Sequence, residues 1–204
     1  VESNDLFIIF AVDSLVILDS FTLMAYKVCA SDKIVSQNQF ISLFFSMLYT
    51  GSIMKYSLEQ LSDRLEIEDL ITEYADAIDT QQLDRLDAVF TEDAYIDYSA
   101  MGGEVGDYQK VKSFLASALP AFKNTQHMIA NYKITLNGDK ATGKIMCFNP
   151  MELHMGEQPS PVFFLGLWYL DEYVKTDAGW RIAKRSEQKS YDFNTPDFIQ
   201  FDQK

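Results

Sequence analysis

VFFLGLWYLDEYVKTDAGWRI, residues 162–182, decides the fold. The run Val162–Lys175 is rich in β-branched and aromatic residues, stops at Asp177-Ala178-Gly179 and restarts at Trp180, so it reads as a strand, a tight reversal and a second strand. One parity carries Val162, Phe164, Gly166, Trp168 and Leu170, and the other Phe163, Leu165, Leu167 and Tyr169. A sheet with one wetted face alternates apolar and polar residues. Here both faces are apolar: one can meet helices or line a cavity, and the other needs cover, most simply from a second subunit.

Working upstream, Ala141–Met155 and Thr125–Leu136 read as strands joined by Asn137-Gly138-Asp139, a strong hairpin turn, and Gly156–Pro161 reads as a loop. Downstream, Trp180–Phe193 is the last strand. Before Pro120 the period changes. Ser57-Leu58-Glu59-Gln60 is a capping-box pattern, and Leu61, Leu65, Ile67, Leu70, Ile71, Tyr74 and Ile78 recur at helical spacing. The spacing predicts helices over Leu58–Asp79, Leu83–Phe90 and Tyr108–Leu119, with a strand at Ala94–Tyr98 among them. Helices grouped ahead of an antiparallel meander mean α+β: a curved, mostly antiparallel sheet covered on one face by three helices.

The charge balance, 17 Lys+Arg against 30 Asp+Glu for a net charge of -13, disfavours a nucleic-acid or anionic-membrane partner, since both would repel it. Cys29 and Cys147 form no CxxC pair, and His127 and His154 complete no zinc spacing, so a reducing cytoplasm, no metal and no disulfide framework are expected. Residues 1–53 hold five acidic and two basic side chains. Asp13, Asp19 and Lys27 interrupt the apolar runs, so no membrane helix is expected there, and Glu2 and Asp5 have the wrong sign for a signal peptide. This segment reads as an extension outside the core domain, which spans 54–204. It is either an added helical element or the product of a reading frame extended beyond a natural start at Met54, and the second reading is favoured.

Asp79 ends the first helix beside the apolar stripe. Position alone favours a helix-end residue or a cap for the next element. His127, in Thr125-Gln126-His127-Met128, reads from position as a core histidine, and chemistry would require a carboxylate to fix its tautomer. Asp79 is the candidate if the helix lies across the sheet. Tyr74, Tyr98 and Arg185 could each donate a hydrogen bond to an oxygen gaining charge, and each is also an ordinary residue type for its place. His154 reads as a rim or surface residue.

The segments Leu61–Leu70, Tyr74-Ala75-Asp76, Asp79, Leu83–Leu86 and Phe90–Ala94, with Thr125–Met128 and Gly179-Trp180-Arg181-Ile182, resemble the SnoaL-like domains of the nuclear transport factor 2-like superfamily. The similarity covers roughly Leu58–Pro196 and is nearest to the branch of scytalone dehydratase and hexachlorocyclohexane dehydrochlorinase. It implies a cone-shaped α+β barrel and an Asp–His dyad at Asp79 and His127, with no metal or cofactor. It also places Tyr98 where the dehydratase has a substrate-polarising tyrosine, and Arg185 where the dehydrochlorinase has a pocket arginine. Ile78, Tyr74 and Met151 stand where one or other enzyme has a different functional residue, so the substrate-specific pattern does not carry over. The expected substrate-binding set is Tyr74, Tyr98, Asn131, Trp168 and Arg185. The leading expectation is a cofactor-free, dehydratase-like lyase acting on a small molecule, as a homodimer or homotrimer. The alternatives are an isomerase or cyclase using the same base on a ketone, and a module that binds a small apolar ligand or assembles subunits without catalysis.

Overall fold

The structure is a computed structural model that describes residues 55–156 and 160–196. The segment 1–53, expected to be an extension, lies outside the described residues.

Helix α1 (Leu58–Asp79) starts where the capping box predicts. Ser57 Oγ accepts from the Gln60 amide, and the Gln60 side chain accepts from the Ser57 amide. Its apolar residues at three- and four-residue spacing, among them Ile67, Leu70, Ile71, Tyr74 and Ile78, are buried. Leu58 and Leu65, which share the apolar periodicity, stay exposed. A 3-10 helix (Leu83–Ala88) follows in place of the longer helix expected, and the chain is already extended by Phe90. Strand β1 (Phe90–Asp97) therefore begins earlier than Ala94, and Tyr98 ends it as the cap of a short 3-10 turn. Strand β2 (Val105–Asp107) leads into α2 (Tyr108–Ala118), whose N-terminus is capped by Asp107 accepting from the Lys110 amide.

The meander comprises β3 (Phe122–Thr125), β4 (Met128–Asn137), β5 (Lys140–Leu153), β6 (Val162–Thr176) and β7 (Gly179–Phe193). The seven strands form one curved sheet in the order β2-β1-β7-β6-β5-β3, with β4 also paired to β5. All pairings are antiparallel except β1 with β7, which is parallel. The fold is the expected α+β class, with α1 over β4 and β7 and α2 against β1.

The expected continuous strand Thr125–Leu136 is interrupted at Gln126 and His127. Pro150 on β5 explains the gap. Its carbonyl accepts from the Gln126 amide, so its nitrogen faces the same side, and that nitrogen has no hydrogen to donate. The ladder resumes only at Met128–Phe148.

The odd residues of β6, Phe163, Leu165, Leu167, Tyr169 and Tyr173, are buried beneath the helices. The even ones lie on the outer face. Phe164 packs there between Phe148 and Phe193, with ring centroids 5.5 and 5.8 Å apart. The Tyr191 ring lies flat over Gly166, where a Cβ would run into it. Phe193 remains 63% exposed, and Met128 and Val162 are also exposed.

Candidate active site

Asp79 occupies the last position of α1, where the helix dipole disfavours an anion and no basic residue stands in the last turn. Its partners come from the gap in the sheet. Asp79 Oδ2 accepts the His127 backbone amide at 2.7 Å. Asp79 Oδ1 meets His127 Nδ1 at 2.6 Å and accepts from Thr125 Oγ1 at 2.9 Å. Burial by itself raises the Asp79 pKa, but the hydrogen bonds and charge of His127, with Thr125, outweigh it and hold the carboxyl below its usual range. The dyad is sheltered: 7% of the His127 side chain and 20% of the Asp79 side chain are exposed.

The far nitrogen, His127 Nε2, lies 3.2 Å from Asn149 Nδ2. A carboxylate at Nδ1 and an amide N–H at Nε2 both favour the tautomer with its hydrogen on Nδ1 and its lone pair on Nε2. Asn149 Oδ1 is buried without a protein partner. His127 and Asn149 line a cavity of about 210 Å³ whose walls are otherwise mostly apolar, with Ile78, Leu115, Leu165 and Leu167 among them. Tyr74, Tyr98, Thr125, Tyr169 and Glu187 supply further polar groups. A wider depression of about 520 Å³ at Gln81–Arg85 and Leu119 lies outside this site. Its Arg85 is already tied to Glu73 and Asp76.

Tyr98 is placed by the turn that follows β1. Gly102 adopts φ 77°, and the Gly103 backbone folds back so closely that a Cβ there would sit 2.6 Å from Tyr98 Cβ. The Tyr98 and Tyr74 hydroxyls are 2.9 Å apart. Burial raises the pKa of both, so both remain neutral hydrogen-bond donors.

Three of the expected substrate-binding residues are not on the cavity wall. Trp168 belongs to the outer face of β6, where Lys144 Nζ sits 4.9 Å above its ring. The aromatic of β6 that lines the cavity is its neighbour, Tyr169. Asn131 sits at a bulge in β4 with φ 51°, exposed, its amide against Met146 Sδ. Arg185 is fully buried behind the wall. Its Nε and Nη2 donate to Asp171 at 2.8 and 2.7 Å, and its guanidinium lies 4.1 Å from the Tyr74 ring centre and 4.2 Å from that of Tyr169. Burial opposes its charge, but Asp171 prevails and keeps it ionised. Arg185 thus acts on the tyrosine rings and does not touch the cavity. Among the residues added by the structure, Asn149, Thr125 and Glu187 carried no signal in the sequence, since polar residues in or near a strand ordinarily read as solvated.

Among the described residues no helix is long and apolar enough to cross a membrane, and no three His, Cys, Asp or Glu side chains come together as a metal-ligand set. The SnoaL-like domain family matches residues 59–186. The uncharacterized protein Rv2910c of Mycobacterium tuberculosis is 46% identical over 135 residues, covering 66% of this chain and 90% of its own length. Two solved structures share the fold. A protein of Novosphingobium aromaticivorans named for scytalone dehydratase is 21% identical, covers 67% of this chain and 89% of its own, and superposes with a TM-score of 0.59. A type 2 hexachlorocyclohexane dehydrochlorinase is 22% identical, covers 69% and 93%, and also gives 0.59.

Proposed function

This chain belongs to the family of SnoaL-like domains, and from that premise we propose that it is a cofactor-independent lyase of dehydratase type acting on a small hydroxy-ketone. The observation that carries this reading is the sheltered contact of 2.6 Å between Asp79 and His127 at the wall of a mostly apolar cavity. Asp79 fixes the hydrogen on Nδ1, so Nε2 is the base. His127 Nε2 removes the proton from the carbon next to the carbonyl. The imidazolium that forms is stabilised by Asp79 and then returns the proton to the departing hydroxyl, which leaves as water. Tyr98, its hydroxyl backed by Tyr74, donates to the carbonyl oxygen as it gains charge. Arg185 keeps the adjoining rings in a positive field.

The dehydrochlorinase with the same fold is named for an elimination reaction, which supports the reaction class and leaves the substrate open. The test is a screen of β-hydroxy ketones for release of the conjugated enone, read by its ultraviolet absorbance. The wild type should turn over at least one of them, and His127→Ala should lose about 10²–10⁴-fold in rate while folding normally. Turnover at near wild-type rate by His127→Ala would mean that the dyad is structural and the reading wrong.

The outer sheet face fits a second copy of the chain. Phe148, Phe164 and Phe193 form a continuous aromatic row there, with Met128 and Tyr191 beside it. A lasting pairing across this face should bury on the order of 1,000 Å² or more. Light scattering that gave the monomer mass at high micromolar concentration would count against it. Cys147 is a free thiol whose pKa burial pushes up to about 12, which suits a reducing compartment.

A further inference from the structure

Glu187 is the one cavity group with a carboxyl that the dyad chemistry leaves unused. It pairs with Tyr169 across β6 and β7 and projects from the inner face of the sheet. Its Oε2 is buried without any hydrogen-bond partner in the protein. An ionised carboxylate with one oxygen shut away from water and unpartnered is costly, so such a group either finds a ligand or keeps its proton. His127 enters the cavity at the β3–β5 edge and Glu187 from β7, with β5 and β6 between them. The two groups therefore stand on different walls of one small space.

We infer that Glu187 is the proton donor of this cavity, a neutral carboxylic acid that binds the carbonyl oxygen of the substrate and protonates it as the neighbouring carbon loses its hydrogen. The inference rests on the elimination reading and adds its missing acid, along with the orientation of the substrate: carbonyl toward β7, reacting carbon toward His127. The surroundings of Glu187 agree. Burial pushes its pKa up to about 8, with Asp97 on β1 and Asp171 on β6 adding repulsion. Arg185 on its own strand pulls the other way; its Nε and Nη2 are bound to Asp171, while its Nη1 is buried without a partner. Tyr74 from α1, Tyr98 after β1, Tyr169 from β6 and Cys147 from β5 complete its neighbourhood, and burial holds all four protonated.

The step balances. His127 Nε2 takes the hydrogen from the carbon next to the carbonyl, and the C–H electron pair becomes a C=C bond. The carbonyl π pair moves onto oxygen, which takes the Glu187 proton, so a neutral enol stands between imidazolium and carboxylate. The enol then returns its O–H proton to Glu187 and re-forms the carbonyl. The C–O bond to the β-hydroxyl breaks, and that oxygen takes the proton of His127 and departs as water. Both residues finish as they began.

Two measurements test it. The first is an infrared difference spectrum of wild type against Glu187→Gln. It should contain a carboxylic-acid carbonyl band near neutral pH that disappears with a midpoint of about 8. The second uses 1-tetralone as a ketone probe. Its affinity should be flat below neutrality and fall about tenfold per pH unit above the Glu187 midpoint. In Glu187→Gln, whose amide still donates, the affinity should become independent of pH, whereas His127→Ala should keep the wild-type dependence. Absence of the acid band, failure of 1-tetralone to bind at millimolar concentration, or equal affinity near neutrality and at about pH 10 overturns the inference. The two readings fail separately. Unimpaired turnover by His127→Ala removes the base and leaves the infrared and ketone results intact. A missing acid band together with an inactive His127→Ala removes the donor and leaves the base.

Discussion

The two ends of helix α1 pin it to the sheet in the same manner, with opposite consequences. Near its start Asp63 is buried and accepts from Trp180 Nε1 at 2.9 Å and Lys175 Nζ at 2.7 Å. At its end Asp79 accepts from Thr125 and from His127. In each case burial pushes the carboxyl pKa up and the donors more than reverse it. Asp63 is met by an indole, which never gives up its hydrogen, and by an ammonium group. Asp79 is met by an imidazole, which exchanges one at neutral pH. Asp63 lines neither of the two cavities described above, while the ring held by Asp79 forms part of a cavity wall. A buried carboxylate is therefore not diagnostic of function. What distinguishes the two is whether the partner can change its protonation state and reach empty space.

The sharpest way to break this comparison is to neutralise each carboxylate in turn. Asp79→Asn should lower turnover by roughly 10²–10⁴-fold, because the amide no longer dictates which ring nitrogen carries the hydrogen. Asp63→Ala should leave the rate per folded molecule unchanged. It should instead cost about 2 kcal/mol of stability, since the Trp180 N–H loses its acceptor in the core, and thermal unfolding would show this as a lower Tm. If Asp63→Ala were the more damaging to turnover, the distinction between the two ends would collapse.

A smaller effect sharpens the contrast through pH. Asp63 and Asp79 have lowered pKa values, so the stability they contribute is present above the ordinary carboxylate pKa and is lost as pH falls through their lowered values. Glu187 has the opposite sign. The folded chain keeps a proton that the unfolded chain releases from about 4.5 upward, so stability drains away as pH rises from there to about 8. Urea unfolding of Glu187→Gln should show a flatter pH dependence over that window than the wild type, with the acid limb unchanged. An identical slope in the two proteins would mean that Glu187 is ionised in the folded state. The smallest effect belongs to Trp168. Trp168→Phe should alter turnover less than twofold, as its ring lies on the outer face, and a larger loss would bring it back into the site.

Much of the fold is legible because its signals are local. The capping box at Ser57, the apolar periodicity to Ile78 and the Asn137-Gly138 turn each act over a few residues. The two-sided apolar strand at 162–170 announces an apolar inner face and an apolar outer one. The Asp79–His127 pairing is visible in the sequence through resemblance alone, because the two side chains are 48 residues apart and no local signal links them. Trp168 falls on the face opposite the expected one because parity along β6 says which residues share a face and not which face is inside. Arg185 and Glu187 are harder still. Arg181–Asp192 is polar on both parities, which reads as a solvated strand, and the buried Asp171–Arg185 pair that makes the interior tolerable for them spans two strands.

The gap in the sheet at Gln126 and His127 carries a consequence for observing the site. There the His127 amide hydrogen points at a carboxylate 2.7 Å away rather than at a neighbouring strand. An amide in so short a bond to an anion resonates far downfield in a proton NMR spectrum, apart from the crowd of sheet amides. One peak thus reports on the Asp79 carboxylate without any substrate in hand. It should move upfield on titration through the lowered Asp79 pKa, and again in Asp79→Asn, where the acceptor is uncharged. The carboxylate that holds this hydrogen also gives it a distinct frequency.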